Sequence, residues 1–166
     1  FYGGEVIAVV GGGDSAAEEA TFLTKFATKV YLIVRRDKLR ASKVMQERVF
    51  KNDKIEILWN TEVLDVHGDK EVSGIRIINN QTKAERDIDL AGFFLAIGHI
   101  PNTKPFSHKL DTDPDGYLIT ASDSTKTNVE GVFACGDVQD RIFQQAVTAA
   151  GTGCMAALEA EKWIEE

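Results

Sequence analysis

At 166 residues, 43% hydrophobic and 27% charged, the chain has the size and composition of one globular domain or two small lobes, not of a disordered segment. Lys and Arg number 19 against 26 Asp and Glu, and a net charge of −7 argues against a general nucleic-acid surface, which needs clustered cations to displace counterions. The two cysteines, Cys135 and Cys154, exclude a disulfide scaffold or a Cys-x-x-Cys pair in these residues, and no apolar run approaches the ~18–20 residues of a membrane helix.

Residues 5–10 are apolar and stop at Gly11-Gly12-Gly13, the pattern of a strand buried on both faces. Ser15 with Glu18 three residues on fits a capping box, and Ala16, Ala20, Leu23 and Ala27 then recur at helical spacing. Residues 30–34 give a second buried strand, so the opening is a β-α-β unit with parallel strands and a right-handed crossover. A basic stretch, Arg35 to Arg40, leads into a helical pattern at 41–51. Segments 54–59, 61–67, 72–79 and 85–90 alternate and are broken by the turn signals Gly68-Asp69 and Asn79-Asn80, which predicts a strand and then an antiparallel meander. Residues 93–98 read as another buried strand. All three prolines fall within 99–116, and a lobe boundary is expected near 98–103. Beyond it come short strands at 117–120 and 130–135 and an Ala- and Gly-rich helix from about 142 to 164. Cys135 and Cys154 read as buried core cysteines. His67, His99 and His108 form no nucleophile or metal constellation, and His99 reads as an interlobe contact. The chain begins at Phe1 without a signal-like segment, and is expected to be a cytoplasmic piece of something longer.

Gly11-x-Gly13-x-x-Ala16, after a strand and opening a helix, is the dinucleotide fingerprint in context. The first Gly permits the tight turn, the second lets backbone approach a pyrophosphate, and the small third residue brings helix close to strand. The helix N-terminus offers free N–H groups to the phosphates. Where an NAD site would carry Asp or Glu after the second strand, this chain carries Arg35 and Arg36, with Arg40 behind them. Guanidinium forks suit a 2′-phosphate. At roughly 1.5–3 kcal/mol for each charge-assisted bond, two of them predict a preference for NADPH of some hundreds-fold or more. Glu18 is either the capping-box carboxylate or a group facing the nicotinamide end of the cofactor.

Five ordered stretches resemble bacterial-type thioredoxin reductase: Gly-Gly-Gly-Asp-Ser-Ala-x-Glu-Glu-Ala-x-Phe-Leu at 11–23, Arg-Arg-x-x-x-Arg-Ala-Ser-Lys at 35–43, Ala-Ile-Gly-His-x-Pro-Asn-Thr at 96–103, Gly-Val-Phe-Ala-x-Gly-Asp-Val-x-Asp at 131–140, and the tail at 145–161. The resemblance implies an α/β fold. Residues 1–98 would be a Rossmann-like NADPH-binding domain, a parallel sheet with a β-meander crossover, and residues 99–166 the C-terminal segment of a discontinuous FAD-binding lobe. It further implies that Gly11, Gly13, Asp14, Ser15 and Ala16 lie along the NADPH pyrophosphate, with Glu18 near the nicotinamide. Arg35, Arg36 and Arg40 would hold the 2′-phosphate, and Ile97 and Gly98 would pass the cofactor on the facing strand. Asp137, after Gly136, would bond the ribityl chain of FAD, and Gln145 and Ala146 would approach the flavin ring. Taken without the resemblance, Asp137 is a strand-end turn residue.

By the same resemblance the activity is hydride transfer from NADPH to FAD and onward to a redox Cys pair and thioredoxin, in a homodimer with a hinge at 1–5 and 98–103. The Cys pair is not in these residues, so no catalytic residue is assigned here. The family usually has His where this chain has Val34 and often Arg where it has Gln144, which is expected to weaken NADPH binding. Rival readings are the flavoprotein of alkyl hydroperoxide reductase, against which the Arg cluster counts because it favours NADH, a ferredoxin–NADP reductase of similar fold, and a non-catalytic nucleotide-binding module. In that last case, residues 99–166 would lack the sheet they should join and leave apolar surface exposed.

Overall fold

The strand β1 (Val6–Val10) is apolar throughout because both of its faces are covered. It pairs in parallel with β2 (Lys29–Val34) on one side and β7 (Gly92–Leu95) on the other, and β2 pairs in parallel with β3 (Ile55–Trp59). The computed structural model describes residues 1–165 and divides the chain into two compact units, Phe1–Gly98 and the residues from His99 onward.

In the first unit the parallel sheet runs β3-β2-β1-β7. Alternation along the strands sends Ile7, Val9, Val30, Leu32 and Val34 to one face. There they pack with Ala16, Ala17 and Ala20 of α1 (Asp14–Leu23) and Val49 of α2 (Lys43–Phe50). Ala8 and Ile33 point the other way, against a second, antiparallel sheet of β4 (Thr61–Gly68), β5 (Val72–Asn79) and β6 (Glu85–Asp89), through Ile75, Ile77, Ile88 and Leu90. The parallel sheet is therefore sandwiched between helices and meander; both sets of strands are expected from the sequence, whereas the packing of one on the other is not. Because β1, β2 and β3 proceed in one direction and β7 is added on the far side of β1, the order reverses between β1 and β7. A reversal of this kind opens a crevice at the carboxyl ends of the strands.

The capping box does not form. Gly13 is the N-cap and gives no side-chain cap, so Ser15 lies inside the first turn and Glu18 is an exposed residue further along. The strand expected at 93–98 ends at Leu95, and Leu95 and Ile97 are exposed along a cleft instead of buried under a covering layer.

In the second unit the strands expected at 117–120 and 130–135 are reduced to isolated bridges, Thr112 with Leu118 and Lys126 with Phe133. A strand needs a continuous partner, and neither segment finds one among the described residues. The small core is Leu110, Leu118 and Ala134 with Val138 against it. A single 3₁₀ turn (Gly136–Val138) precedes α3 (Ala146–Glu165), which starts later than the sequence predicts. The reason is Asp140, whose carboxylate accepts the N–H groups of Ile142, Phe143 and Gln144, diverting them from a helical ladder, while Gln144 takes a φ of 49°. These bonds hold the Asp140 carboxyl below the usual carboxylate range.

The Glu159 carboxylate ties α3 to the preceding loop by accepting from Ser124 Oγ at 2.6 Å, from Thr125 N at 2.8 Å and from the Thr125 hydroxyl. No residue of α3 is fully buried, and Val147, Leu158 and Ile164 are exposed. Of the two cysteines expected in a core, Cys135 is half-buried and Cys154 exposed, because the face of α3 that carries Cys154 has no layer over it.

Candidate functional site

The crevice at the β1–β7 reversal is a cleft of about 400 Å3. Its floor is the glycine turn. A Cβ on Gly11 would overlap the Ala96 carbonyl oxygen and lie 2.7 Å from Ala16 Cβ, so only glycine lets β1, β7 and α1 come this close. Ala16 is fully buried there. At Gly13 a Cβ would meet nothing within 4 Å, with an extended backbone of φ −93° and ψ −175°. This glycine has no steric duty inside the chain, and the space beside it borders the uncapped first turn of α1, where N–H groups and the positive end of the helix dipole face outward.

The basic stretch is folded back onto this turn. Gly12 O accepts from Arg40 N at 2.6 Å and from Ala41 N at 3.1 Å, and Asp14 Oδ1 accepts from Ser42 N at 2.9 Å. The bonds from Ser42 hold the Asp14 carboxyl below the usual carboxylate range. Leu39 and Ala41 are buried and anchor the loop, which leaves Arg35, Arg36, Lys38 and Arg40 exposed around the cleft. Among the described residues none of these four cations makes an ion pair. An unpaired group of cations beside a helix N-terminus is suited to phosphate groups.

Of the residues singled out in the sequence, Gly11, Val34, Arg35, Arg36, Arg40 and Ile97 line this one cleft. Asp14 and Ser15 are exposed on the first turn of α1, Glu18 is exposed beyond it, and Gly98 has a φ of 94° at the end of the first unit. Gly136, Asp137, Gln145 and Ala146 belong to the second unit. There Gly136, with a φ of 71°, donates its N–H to Thr152 Oγ1 at 3.0 Å and packs against Ala149, which sets the exposed Asp137 beside the first turns of α3. Gln145 and Ala146 are exposed where that helix begins, and Gln145 Nε2 donates to Phe143 O at 2.9 Å. Val34, at a point of departure from the resemblance, is buried in the core. The other departure, Gln144, donates from Nε2 to Tyr117 Oη at 2.9 Å.

Lys38 and Glu62 also line the cleft and are not among the site residues expected from the sequence. Lys38 was visible in the basic run. Glu62 reaches the cleft only because the meander packs on the sheet, and no local signal marks it.

Residues 3–153 match the pyridine nucleotide-disulphide oxidoreductase family. The chain belongs to that family. Its similarity to thioredoxin reductases within the family runs from end to end. Those of Dictyostelium discoideum and Debaryomyces hansenii are each 56% identical to it, over 99% and 96% of this chain but only 51% and 50% of their own length. A solved thioredoxin reductase from Streptococcus pyogenes superposes with a TM-score of 0.87 at 39% identity, over 99% of this chain and 54% of that one. The chain thus spans about half the length of the curated relatives it matches. As a member of the oxidoreductase family it is expected to handle nicotinamide and flavin nucleotides, and the donors around the cleft fit a phosphorylated dinucleotide.

Proposed function

We propose that the chain is the dinucleotide-binding half of an NADPH-dependent thioredoxin-disulfide reductase. Residues 1–98 hold NADPH, and residues 99–166 are the C-terminal segment of a discontinuous FAD-binding domain. The observation that carries this reading is the cluster of Arg35, Arg36, Lys38 and Arg40, without an ion pair among the described residues and latched to the glycine turn through Gly12 O. The turn takes the pyrophosphate at Gly11, Gly13 and the first-turn N–H groups of Asp14, Ser15 and Ala16, and the guanidiniums take the 2′-phosphate. Ile97 and Gly98 border the cofactor from the β7 side, with Glu18 toward its nicotinamide end.

In the second unit Gly136, Asp137, Gln145 and Ala146 would form one wall of the FAD site, with Asp137 accepting hydroxyl hydrogen bonds and the start of α3 favouring negative charge. When bound, the two cofactors supply the hydride chemistry that ends in reduction of a protein disulfide, with thioredoxin as partner. The redox Cys pair and the rest of the FAD domain lie outside these residues, and the whole enzyme acts as a cytoplasmic homodimer. Calorimetric titration of the chain with NADPH and NADH tests the reading. Two charge-assisted bonds to the 2′-phosphate predict a preference for NADPH of some hundreds-fold or more. Equal affinities would overturn it.

A further inference from the structure

The arginine loop is held at a second point, far from the glycine turn in sequence. Asn80, half-buried in the turn between β5 and β6, donates from Nδ2 to the Arg35 carbonyl at 2.8 Å and to Glu62 Oε1 at 2.9 Å. Its own N–H goes to the Asn60 carbonyl at 2.7 Å, and Asn60 N in turn donates to the Arg36 carbonyl at 3.1 Å. Consecutive carbonyls of the arginine pair are therefore fixed by the meander, one by the Asn80 side chain and the next through Asn60. The turn that presents Asn80 is built without that side chain. Asn79 Oδ1 accepts from Gln81 N and Thr82 N at 3.0 and 2.9 Å, and Asn79 O accepts from Lys83 N.

We infer that Asn80 is a positioning residue that sets the preference for a 2′-phosphorylated dinucleotide, acting through the Arg35-Arg36 backbone and through Glu62. The inference rests on the NADPH reading above. Asn80 acts in two ways. It fixes the main chain from which both guanidiniums project, so less freedom is lost when they close on a phosphate. It also restrains the Glu62 carboxylate, which lines the same cleft and, once released, competes with the phosphate for the arginines.

The test uses 2′,5′-ADP and 5′-AMP alongside NADPH and NADH, with calorimetry on the chain and on the variants Asn80→Ala and Asn80→Asp. The second keeps the side-chain shape, removes the Nδ2 donors and adds a carboxylate beside Glu62. Asn80→Ala is expected to bind 2′,5′-ADP and NADPH about tenfold more weakly, the worth of one charge-assisted hydrogen bond, Asn80→Asp at least as weakly, and both to bind 5′-AMP and NADH within about twofold of the parent. Partial recovery in Asn80→Ala/Glu62→Gln supports the restraint on Glu62, and no recovery overturns that half of the inference. Unchanged 2′,5′-ADP binding overturns the inference, as does an equal loss for all four nucleotides, which would make Asn80 merely structural. If Arg35→Ala/Arg36→Ala costs NADPH nothing, the NADPH reading falls and takes this inference with it. If that double variant loses NADPH binding while both Asn80 variants keep it, only the positioning role falls.

Discussion

Replacing Gly11 and Gly13 by Ala, one at a time, separates the structural duty of the glycine turn from its binding duty. At Gly11 the new methyl would overlap the Ala96 carbonyl oxygen and crowd Ala16 Cβ at 2.7 Å, in a backbone with φ of 154°. Overpacking of this kind costs about 1–3 kcal/mol, and a side chain at positive φ adds about 1–2 kcal/mol. For a unit of this size, where 1 kcal/mol moves Tm by roughly 4–8 °C, the melting temperature should fall by about 8–40 °C. At Gly13 the methyl meets nothing within 4 Å, and φ −93° is open to any residue. Loss of a glycine N-cap to Ala costs at most about 1 kcal/mol, so Tm should fall by less than about 8 °C. The same methyl stands where backbone must approach a pyrophosphate, so NADPH affinity should drop more than about tenfold. Circular-dichroism melts and calorimetric titrations read both effects. A Gly13→Ala variant that binds NADPH like the parent, or a Gly11→Ala variant that melts like it, would refute this division of labour.

Arg35→Ala/Arg36→Ala should raise the Kd for NADPH some hundreds-fold or more and leave NADH unchanged, and an equal loss for both would mean the arginines serve the fold. Arg76 pairs with Asp87 through two hydrogen bonds, with His67 adding to them, and brings the Asp87 carboxyl from 3.8 down to about 2. A carboxyl depressed in the folded state stabilises fully above the unfolded value and loses that contribution as pH falls. The stability gap between the parent and Asp87→Asn, read by urea unfolding, should therefore be flat above pH 3.8 and shrink toward pH 2; a gap unchanged down to pH 2 contradicts this. In the second unit a Cβ on Gly131, where φ is 75°, would lie 2.9 Å from the Trp163 ring. Gly131→Ala should shift tryptophan emission and lower the unfolding midpoint, and unchanged emission and midpoint would contradict that packing.

The fold of the first unit was legible because its signals are local: apolar runs ending in glycine for buried strands, alternation with turn residues for the meander, and Gly11 and Gly13 for the strand–helix turn. The expected capping box failed because Gly13, not Ser15, begins α1, and Asp14 is engaged by Ser42 N from a distant loop. In the second unit, 117–120 and 130–135 carry strand-like sequence but a strand is completed only by its neighbours, and here each finds one bridge. Burial of Cys154 was misjudged for the same reason, since an Ala-rich helix face looks internal whether or not a layer covers it. In the candidate site Arg35, Arg36 and Arg40 could be read from their place after the second strand. Glu62 and Asn80 could not, because the packing of the meander onto the sheet brings them there.

Diffraction from crystals of the chain soaked with NADP+ tests the central claim most directly. A 2′-phosphate is expected within hydrogen-bond distance of the Arg35, Arg36 or Arg40 guanidiniums, and a pyrophosphate against Gly13 and the first turn of α1. A dinucleotide bound outside the cleft, or lying in it with its 2′-phosphate turned away from all three arginines, would contradict it.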